Sequence, residues 1–266
     1  MLQKKTKFAL KKLISNLTGY NQKTIIEIPL QARFGNFLYF FLHCYIERQK
    51  GNNLYILYTK TMEQWLLYFP KLNDFVLMAK DYSKLDKLKW FSSFYQVFNE
   101  DFKQDDLNNF IRDYLLKGEI KSQIITQNKT VINIRRGDFY KENSCTPSSF
   151  DQVSYIKKVK NIYPELFYYP IEIVSDDIDW CINNFQFLDS VCFREKSSPV
   201  EDFIAICTAK NLIISNSTFS YWGGYVCKYL SKENIIIAPN FGSTLYHNHI
   251  AVQLHPEWSI VDVINK

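Results

Sequence analysis

The sequence has no C-x-x-C pair and no long apolar segment, and both absences restrict its class. No stretch approaches the roughly 18 apolar residues of a membrane span, and the N-terminus lacks the apolar region of a secretory signal. Several of the scattered cysteines lie inside apolar patterns, so we expect buried free thiols and a cytoplasmic protein. The cysteines are Cys44, Cys145, Cys181, Cys192, Cys207 and Cys227.

Common catalytic and nucleotide-binding motifs are missing as well. The four histidines form no H-E-x-x-H or similar ligand pattern, which gives a metalloenzyme or a hydrolase little support. The chain contains neither a G-x-x-x-x-G-K-[ST] loop nor a G-x-G-x-x-G loop. Both absences argue against P-loop nucleotidases, kinases and dehydrogenases.

Acidic residues are absent from residues 1–23, which contain six lysines of a chain whose formal net charge is +5. The rest of the chain is therefore nearly neutral, which argues against nucleic acid as a partner. Within residues 4–17, apolar side chains recur at helical spacing, with the lysines mostly on the opposite face. This pattern predicts a basic amphipathic helix that either contacts a membrane surface through residues 1–20 or packs on the protein body.

What the sequence does contain is an alternation of apolar strands and helices. A strand at 24–29, a helix at 36–50 and a strand at 54–58 predict a βαβ unit, and residues 61–123 have a mostly helical pattern. Four strands and four helices alternate after a polar stretch at 121–129. The strands are 130–134, 171–175, 211–215 and 235–238, and the helices are 150–161, 178–184, 201–209 and 220–229, with a polar loop at 136–148.

The alternation predicts an α/β protein with two Rossmann-like parallel-sheet domains facing a cleft. We place the basic segment at 1–23, a first domain at 24–128 and a second domain at 129–266. Ligands of open parallel sheets bind at the carboxyl ends of the strands, so polar residues at those ends are the candidate site.

The first candidate is Arg135-Arg136-Gly137-Asp138, which ends the apolar strand at 130–134. Paired guanidinium groups can clamp a diphosphate, and Gly137 allows the backbone to approach a ligand closely. Asp138 can orient an arginine or act as a base. A surface arginine pair in an ion-pair network is the alternative.

The second candidate, Ser175-Asp176-Asp177, ends the next strand, and Asp179 follows on a helix. Acidic residues are favourable where a helix begins, so we assign Asp177 and Asp179 to capping. We assign Asp176 to nucleotide binding. A metal-binding D-x-D pair formed by Asp177 and Asp179 is the competing interpretation.

Two further polar turns precede helices. Residues 215–220 form a hydroxyl-rich turn, whose hydroxyls and free N–H groups could bind an anion or simply cap the helix. Asn36 begins the first helix, which it could cap, or it could donate its amide to a phosphate.

In this order, the four motifs resemble those of the α-1,2-fucosyltransferases of glycosyltransferase family 11. That family belongs to a wider group with the α-1,6 and protein O-fucosyltransferases. The resemblance runs from about Ile25 to Trp258. The matching segments are Phe34-Gly35-Asn36 and residues 133–138, 175–180 and 215–223.

The resemblance implies a GT-B fold whose second half binds GDP-fucose without a required metal or cofactor. It implies that Arg135 holds the β-phosphate, Arg136 supports the site and Asp176 recognises guanine. It also implies that Asn36 reaches in from the first domain. Residues lining the phosphate and fucose pocket would be Ser217, Thr218 and Phe219.

The implied reaction is displacement at the fucose anomeric carbon with inversion, by a hydroxyl of a glycan acceptor. Fucose linked α-1,2 to galactose in a surface polysaccharide or oligosaccharide is the simplest product, formed at the inner face of a bacterial membrane. Asp138 is the candidate base, although a loose transition state would need none.

Two departures from the family pattern leave the donor open. Asn133 stands where the family has histidine, and Arg33-Phe34-Gly35-Asn36-Phe37 differs from Gly-Leu-Gly-Asn-Gln. The alternatives are a transferase that uses another deoxysugar nucleotide and a non-catalytic module that only binds one. A metal-dependent transferase of the other large fold is a third alternative.

Overall fold

The computed structural model of the protein describes residues 21–117, 126–141, 144–145, 148–195, 197–242 and 250–263. The described residues fall into two compact units, one holding residues up to 95 together with 104–117, the other holding 96–103 and the remainder. The predicted amphipathic helix at 4–17 lies outside the described residues, so membrane contact stays a prediction. None of the helices in the described ranges is long and apolar enough to cross a membrane.

The first unit is built on a four-stranded parallel sheet with the order β3-β2-β1-β4. Its strands are β1 (Thr24–Glu27), β2 (Leu54–Leu57), β3 (Val76–Leu77) and β4 (Lys87–Trp90). Its helices are α1 (Phe34–Gln49), α2 (Glu63–Tyr68) and α3 (Gln104–Phe110), and α3 continues into a π-helical turn, Ile111–Leu115. Short 3-10 turns lie at Lys60–Met62, Pro70–Phe75 and Ala79–Asp81.

Helix α1 is buried on most of its circumference by aromatic packing. Ten of its residues are buried, which requires apolar side chains on more than one face. Phe34 stacks on Trp65 with ring centroids 3.6 Å apart, and Phe41 contacts Phe75 at 6.1 Å. The aromatic run after residue 34 thus forms the core of this unit.

The second unit is built on a six-stranded parallel sheet with the order β12-β11-β10-β5-β8-β9. Its strands are β5 (Gln127–Ile134), β8 (Ile171–Ser175), β9 (Val191–Phe193), β10 (Ala209–Ile213), β11 (Ile235–Pro239) and β12 (Ser259–Val261). A short antiparallel pair, β6 (Tyr140–Lys141) and β7 (Ser144–Cys145), follows β5, with 3-10 turns at Gly137–Phe139 and Pro164–Tyr168. The helices are α4 (Gln152–Ile162), α5 (Ile178–Asn184), α6 (Pro199–Cys207) and α7 (Thr218–Leu230).

The central position of β5 follows from its composition. Val131, Ile132 and Ile134 are almost completely buried, as expected for a strand of a parallel sheet that is covered on both faces. Helix α6 begins with proline at its first position and a capping box formed by Ser198 and Glu201, which satisfies two backbone donors. Local sequence signals and burial therefore agree in this unit.

The predicted α/β class with parallel sheets is confirmed. The mostly helical pattern predicted for 61–123 is wrong where β3 and β4 occur, and the predicted loop at 136–148 contains a 3-10 turn and a β-pair. β5 begins at Gln127, two residues before the predicted start of the second domain. Residues 96–103, assigned from the sequence to the first domain, belong to the second unit.

The cysteines follow the prediction with one exception. Four are free and buried, whereas Cys192 is free but exposed, because it lies on the edge strand β9. The side chain of Cys145 lies outside the described part of the chain. The buried free thiols are Cys44, Cys181, Cys207 and Cys227.

Candidate functional site

Three neighbouring strands of the second sheet end in the predicted motifs. β5 lies between β10 and β8, and Ile134 is in register with Ser175. Because all three strands are parallel, their carboxyl ends lie at one edge of the sheet, and Ile213 is in register with Ile132. The register therefore brings the arginine motif, the aspartate motif and the hydroxyl-rich turn to the same edge.

Arg135 is held by two carboxylates and stays partly exposed. Its Nη1 lies 2.7 Å from Asp176 Oδ2, and its Nη2 donates to Asp138 Oδ1 at 2.5 Å. The guanidinium carbon also lies 5.7 Å from the centre of the Phe139 ring. With 29% of its side chain exposed, Arg135 is oriented by its neighbours but remains accessible to an anion.

Gly137 is required by the close approach of Asp176. It adopts φ = +22°, and a Cβ at this position would overlap Asp176 Oδ2. The same carboxylate accepts the backbone N–H of Arg136 at 2.8 Å through Oδ1. Both oxygens of Asp176 thus hold the arginine motif, which is a contact that sequence reasoning did not anticipate.

Asn133 is the centre of a buried polar network that joins the three motifs. Its Nδ2 donates to the carbonyl of Val174 at 3.1 Å, and its Oδ1 accepts the hydroxyl of Ser220. Ser215 Oγ lies 2.9 Å from Ser220 Oγ. A buried polar side chain inside an apolar strand must be hydrogen-bonded, and that rule is the signal that could have identified Asn133 from the sequence.

The hydroxyl-rich turn caps α7. Ser217 is the N-cap residue, and its Oγ accepts the N–H of Phe219 at 3.2 Å. Thr218 begins the helix, and the Phe219 ring contacts Phe203 at a centroid distance of 5.4 Å. Ser217 is buried, whereas Thr218 and Phe219 are half-buried, so the last two are the more accessible members of this turn.

The capping role predicted for Asp177 is confirmed. Asp177 is the N-cap residue of α5, and its Oδ1 accepts the N–H of Trp180 at 3.2 Å. Asp179 lies in the first turn, where its charge favours the helix dipole. Within the described residues, no three His, Cys, Asp or Glu side chains are grouped in a way that could hold a metal ion.

Asn36 belongs to the first unit, whereas the residues described above belong to the second. The predicted capping role of Asn36 is wrong, because Arg33 occupies the N-cap position of α1 and makes no side-chain capping bond. Asn36 is instead the third residue of the helix. A role toward a phosphate stays a prediction.

Cys181, a buried thiol of α5, lies near the residues of the site. Burial raises the pKa of Cys181 to about 12, against smaller lowering effects that include the charge of Arg136. The thiol is therefore protonated at neutral pH and is not an activated nucleophile. The chemistry available at this edge is hence that of guanidinium groups, carboxylates and helix N-termini.

Comparison with known proteins identifies the family of the chain. The sequence model described as Glycosyl transferase family 11 matches residues 69–261, which include every candidate residue except Asn36. An Escherichia coli protein named alpha-1,2-colitosyltransferase is 32% identical over 133 residues, which cover 46% of this chain and 43% of the relative. The O-antigen biosynthesis glycosyltransferase WbnK of E. coli is 27% identical over 146 residues, which cover 51% of this chain and 45% of that one. Each match thus spans less than half of the relative's length.

Solved structures resemble the chain only distantly. E. coli heptosyltransferase WaaC with ADP is 8% identical, with a TM-score of 0.48, and the alignment covers 91% of this chain and 93% of that one. POFUT1 in complex with GDP is 10% identical, with a TM-score of 0.37 and coverage of 82% and 97%. Both scores lie below 0.5, so neither likeness bears on the fold or the function of this chain. The match over residues 69–261 does bear on its identity, and the chain belongs to glycosyl transferase family 11.

Proposed function

We propose that the chain is an inverting transferase that moves fucose from GDP-fucose to a hydroxyl of a glycan. The observation that carries the proposal is Arg135, a partly exposed guanidinium held by two carboxylates at the edge where three parallel strands end. Family membership and the names of the two E. coli relatives support a transfer of sugars.

In this proposal, Arg135 binds the β-phosphate and stabilises the charge that grows on the departing GDP. A guanidinium held before the reaction loses little energy to reorganisation, and this is how oriented donors stabilise a transition state. Thr218 and Phe219 would contact the phosphate and the sugar near the N-terminus of α7, and Ser217 would hold that turn. Asp176 would act mainly by orienting Arg135, with guanine recognition as its second role.

The acceptor hydroxyl must lose its proton, and Asp138 is the proposed base. Its carboxylate is half exposed and lies 2.5 Å from Arg135 Nη2, within the motif that holds the leaving group. The two compact units would be the two Rossmann-like domains of a GT-B fold, with Asn36 contributing from the first. The proposed acceptor is galactose, and the proposed product carries fucose linked to it α-1,2.

For the sugar donor, one observation favours a specific alternative to GDP-fucose. Colitose, which the name of one relative contains, is a deoxysugar, so a different deoxysugar nucleotide is the second candidate. Calorimetric titration without metal, with GDP-fucose, a colitose nucleotide, GDP-mannose, UDP-glucose and dTDP-rhamnose, separates the two. Tightest binding of GDP-fucose supports the proposal. Binding without turnover over any acceptor would instead indicate a non-catalytic module.

Arg135→Ala tests the central role. We expect transfer to fall by about 10²- to 10³-fold or more, because an oriented donor to the leaving group is lost. The melting temperature should change little, because Arg135 is partly exposed. Arg112→Ala, which removes an exposed arginine paired with Asp113, is the matched control. Near-normal turnover of Arg135→Ala would refute the proposed role.

A further inference from the structure

The two adjacent arginines have different surroundings. Arg135 faces two carboxylates and solvent, whereas the guanidinium of Arg136 lies between two aromatic rings. Its central carbon is 3.9 Å from the centre of the Tyr140 ring and 3.9 Å from that of Trp180. Only 17% of the Arg136 side chain is exposed. The rings cover the faces of the guanidinium, and on its N–H edge Nε lies 3.8 Å from Asp177 Oδ2.

The two rings that stack on Arg136 are each held by further contacts. Trp180 belongs to α5, where it packs against the core of the second unit and contacts Phe185 at 5.6 Å. The hydroxyl of Tyr140 accepts the N–H of Phe150 at 2.8 Å and donates to the carbonyl of the same residue. Arg136 is therefore held between the core and the segment that leads into α4.

The stack also controls the backbone around Arg135. Gln152 Nε2 donates to the carbonyl of Arg135 at 2.6 Å and to the hydroxyl of Tyr140 at 3.0 Å. The carbonyl of Arg136 accepts the N–H groups of Phe139 and Tyr140 at 2.8 and 3.2 Å. Gly137 and Asp138 lie inside this closed turn. Fixing the Arg136 side chain thus fixes the turn from which Asp138 contacts Arg135.

We propose that Arg136, Tyr140 and Trp180 form a positioning stack that orients Arg135 toward a nucleoside diphosphate, and that Arg136 acts through this stack. The inference rests on the proposed function and adds Tyr140, Gln152 and Trp180 to the residues on which that function depends. Cation–π contacts with desolvated rings are among the stronger side-chain interactions of this kind, so losing one ring should loosen the turn.

The test compares Trp180→Leu, Arg136→Lys and the double variant in the full chain. Two readouts are needed: amide hydrogen exchange at Phe139 and Tyr140, which requires no ligand, and GDP affinity by calorimetry. We expect faster exchange at both amides and about tenfold weaker GDP binding in each single variant. The double variant should be little worse than either single one, since both remove the same stack.

A second arginine sandwich in the first unit supplies the matched control. Arg48 lies 4.3 Å from the centre of the Tyr55 ring and 4.7 Å from that of Phe75. Tyr55→Leu should lower the melting temperature as Trp180→Leu does, but leave exchange at Phe139 and Tyr140 and GDP affinity unchanged.

The two readouts separate the inference from the proposed function. Unchanged exchange at Phe139 and Tyr140 in Trp180→Leu would overturn the stack, whether or not GDP binds. If Arg136→Lys binds GDP far more weakly while Trp180→Leu binds normally, Arg136 is a ligand and the inference is wrong. A wild-type protein that fails to bind GDP would refute the proposed function and the orientation toward a diphosphate. Amide hydrogen exchange at Phe139 and Tyr140 would then test only whether the stack holds the turn.

Discussion

Two charged clusters lie on the same sheet of the second unit, and only one of them has the form of a site. In the first, around Arg135, the arginine and Asp176 each keep 29% of their side chain exposed, and Asp138 keeps 54%. In the second, Glu172 of β8 is 11% exposed and pairs with Lys129 of β5 and with Arg194, which follows β9. Arg194 also contacts Asp202 at 3.4 Å.

The difference between the clusters is one of backbone and burial more than of residue type. The cluster around Glu172 joins regular elements, and its cations and carboxylates neutralise one another in a poorly exposed position. The cluster around Arg135 includes a glycine with positive φ and lies just beyond the strand ends. Arginine and aspartate therefore indicate a ligand site only where the backbone presents them to solvent.

The largest effect expected from the predictions below is that of Asp138→Asn. If Asp138 accepts the proton of the acceptor hydroxyl, kcat should fall by about 10²- to 10⁴-fold, while GDP affinity changes by less than about tenfold. Transfer assays and calorimetry measure the two quantities. Asp113→Asn, which alters an ion pair with Arg112 in the first unit, should leave both almost unchanged. Normal turnover of Asp138→Asn would favour a loose transition state that needs no base.

Gly137→Ala should have the next largest effect on transfer. The added Cβ would displace Asp176, which orients Arg135, so we expect GDP binding at least about tenfold weaker and a loss of about 1–2 kcal/mol of stability. Gly51→Ala is the control, because Gly51 also has positive φ (+84°) but open space around its Cβ position. Equal GDP affinities of the two variants would show that the approach of Asp176 does not matter for binding.

Glu172→Gln should affect stability and leave transfer nearly unchanged. Burial by itself raises the pKa of Glu172, but hydrogen bonds and charges from Lys129 and Arg194 outweigh it, so the pKa lies below its ordinary value. The carboxylate therefore stabilises the fold above the ordinary pKa of a glutamate, and this stabilisation is lost as the pH falls through the lower folded-state value.

We expect Glu172→Gln to cost about 3 kcal/mol at pH 7, which corresponds to a melting temperature lower by about 6–12 °C. The difference from the wild type should shrink as the pH falls below about 4. Thermal unfolding at several pH values measures both effects, with the exposed Glu165→Gln as control. A large loss of transfer at a temperature where Glu172→Gln is folded would contradict the assignment of the Glu172 cluster to stability alone.

Sequence reasoning succeeded with the interior strands and failed at the edges of the sheets. The six interior strands of the two parallel sheets were all predicted, whereas the four edge strands of these sheets in the described structure, β3, β4, β9 and β12, were missed. The short antiparallel pair of β6 and β7 was missed as well. An interior strand of a parallel sheet is buried on both faces and therefore appears as a continuous apolar run. An edge strand such as β4, with the sequence Lys-Leu-Lys-Trp, needs no such run.

The candidate site also has a part that the sequence predicted and a part that it did not. The order of the motifs and their positions after predicted strands made Arg135, Asp138 and Asp176 candidate residues, and the structure brings these three side chains into contact. The contact partners of Asn133 and Trp180 were not predictable, because Val174 and Arg136 are 41 and 44 residues away from them along the chain. Contacts between such distant residues depend on register and helix placement, which local patterns do not encode.

By itself, the amino-acid sequence determined which segments form interior strands, which charged residues follow them and the family to which the chain belongs. Apolar runs and the polar residues that end them are local features of the sequence, so they indicate the buried strands and their ends directly. Only the tertiary structure decided that Arg135 faces solvent while its neighbour Arg136 is enclosed by Tyr140 and Trp180. Adjacent residues at a strand end leave the backbone in different directions, and the elements packed on each side determine what each side chain contacts.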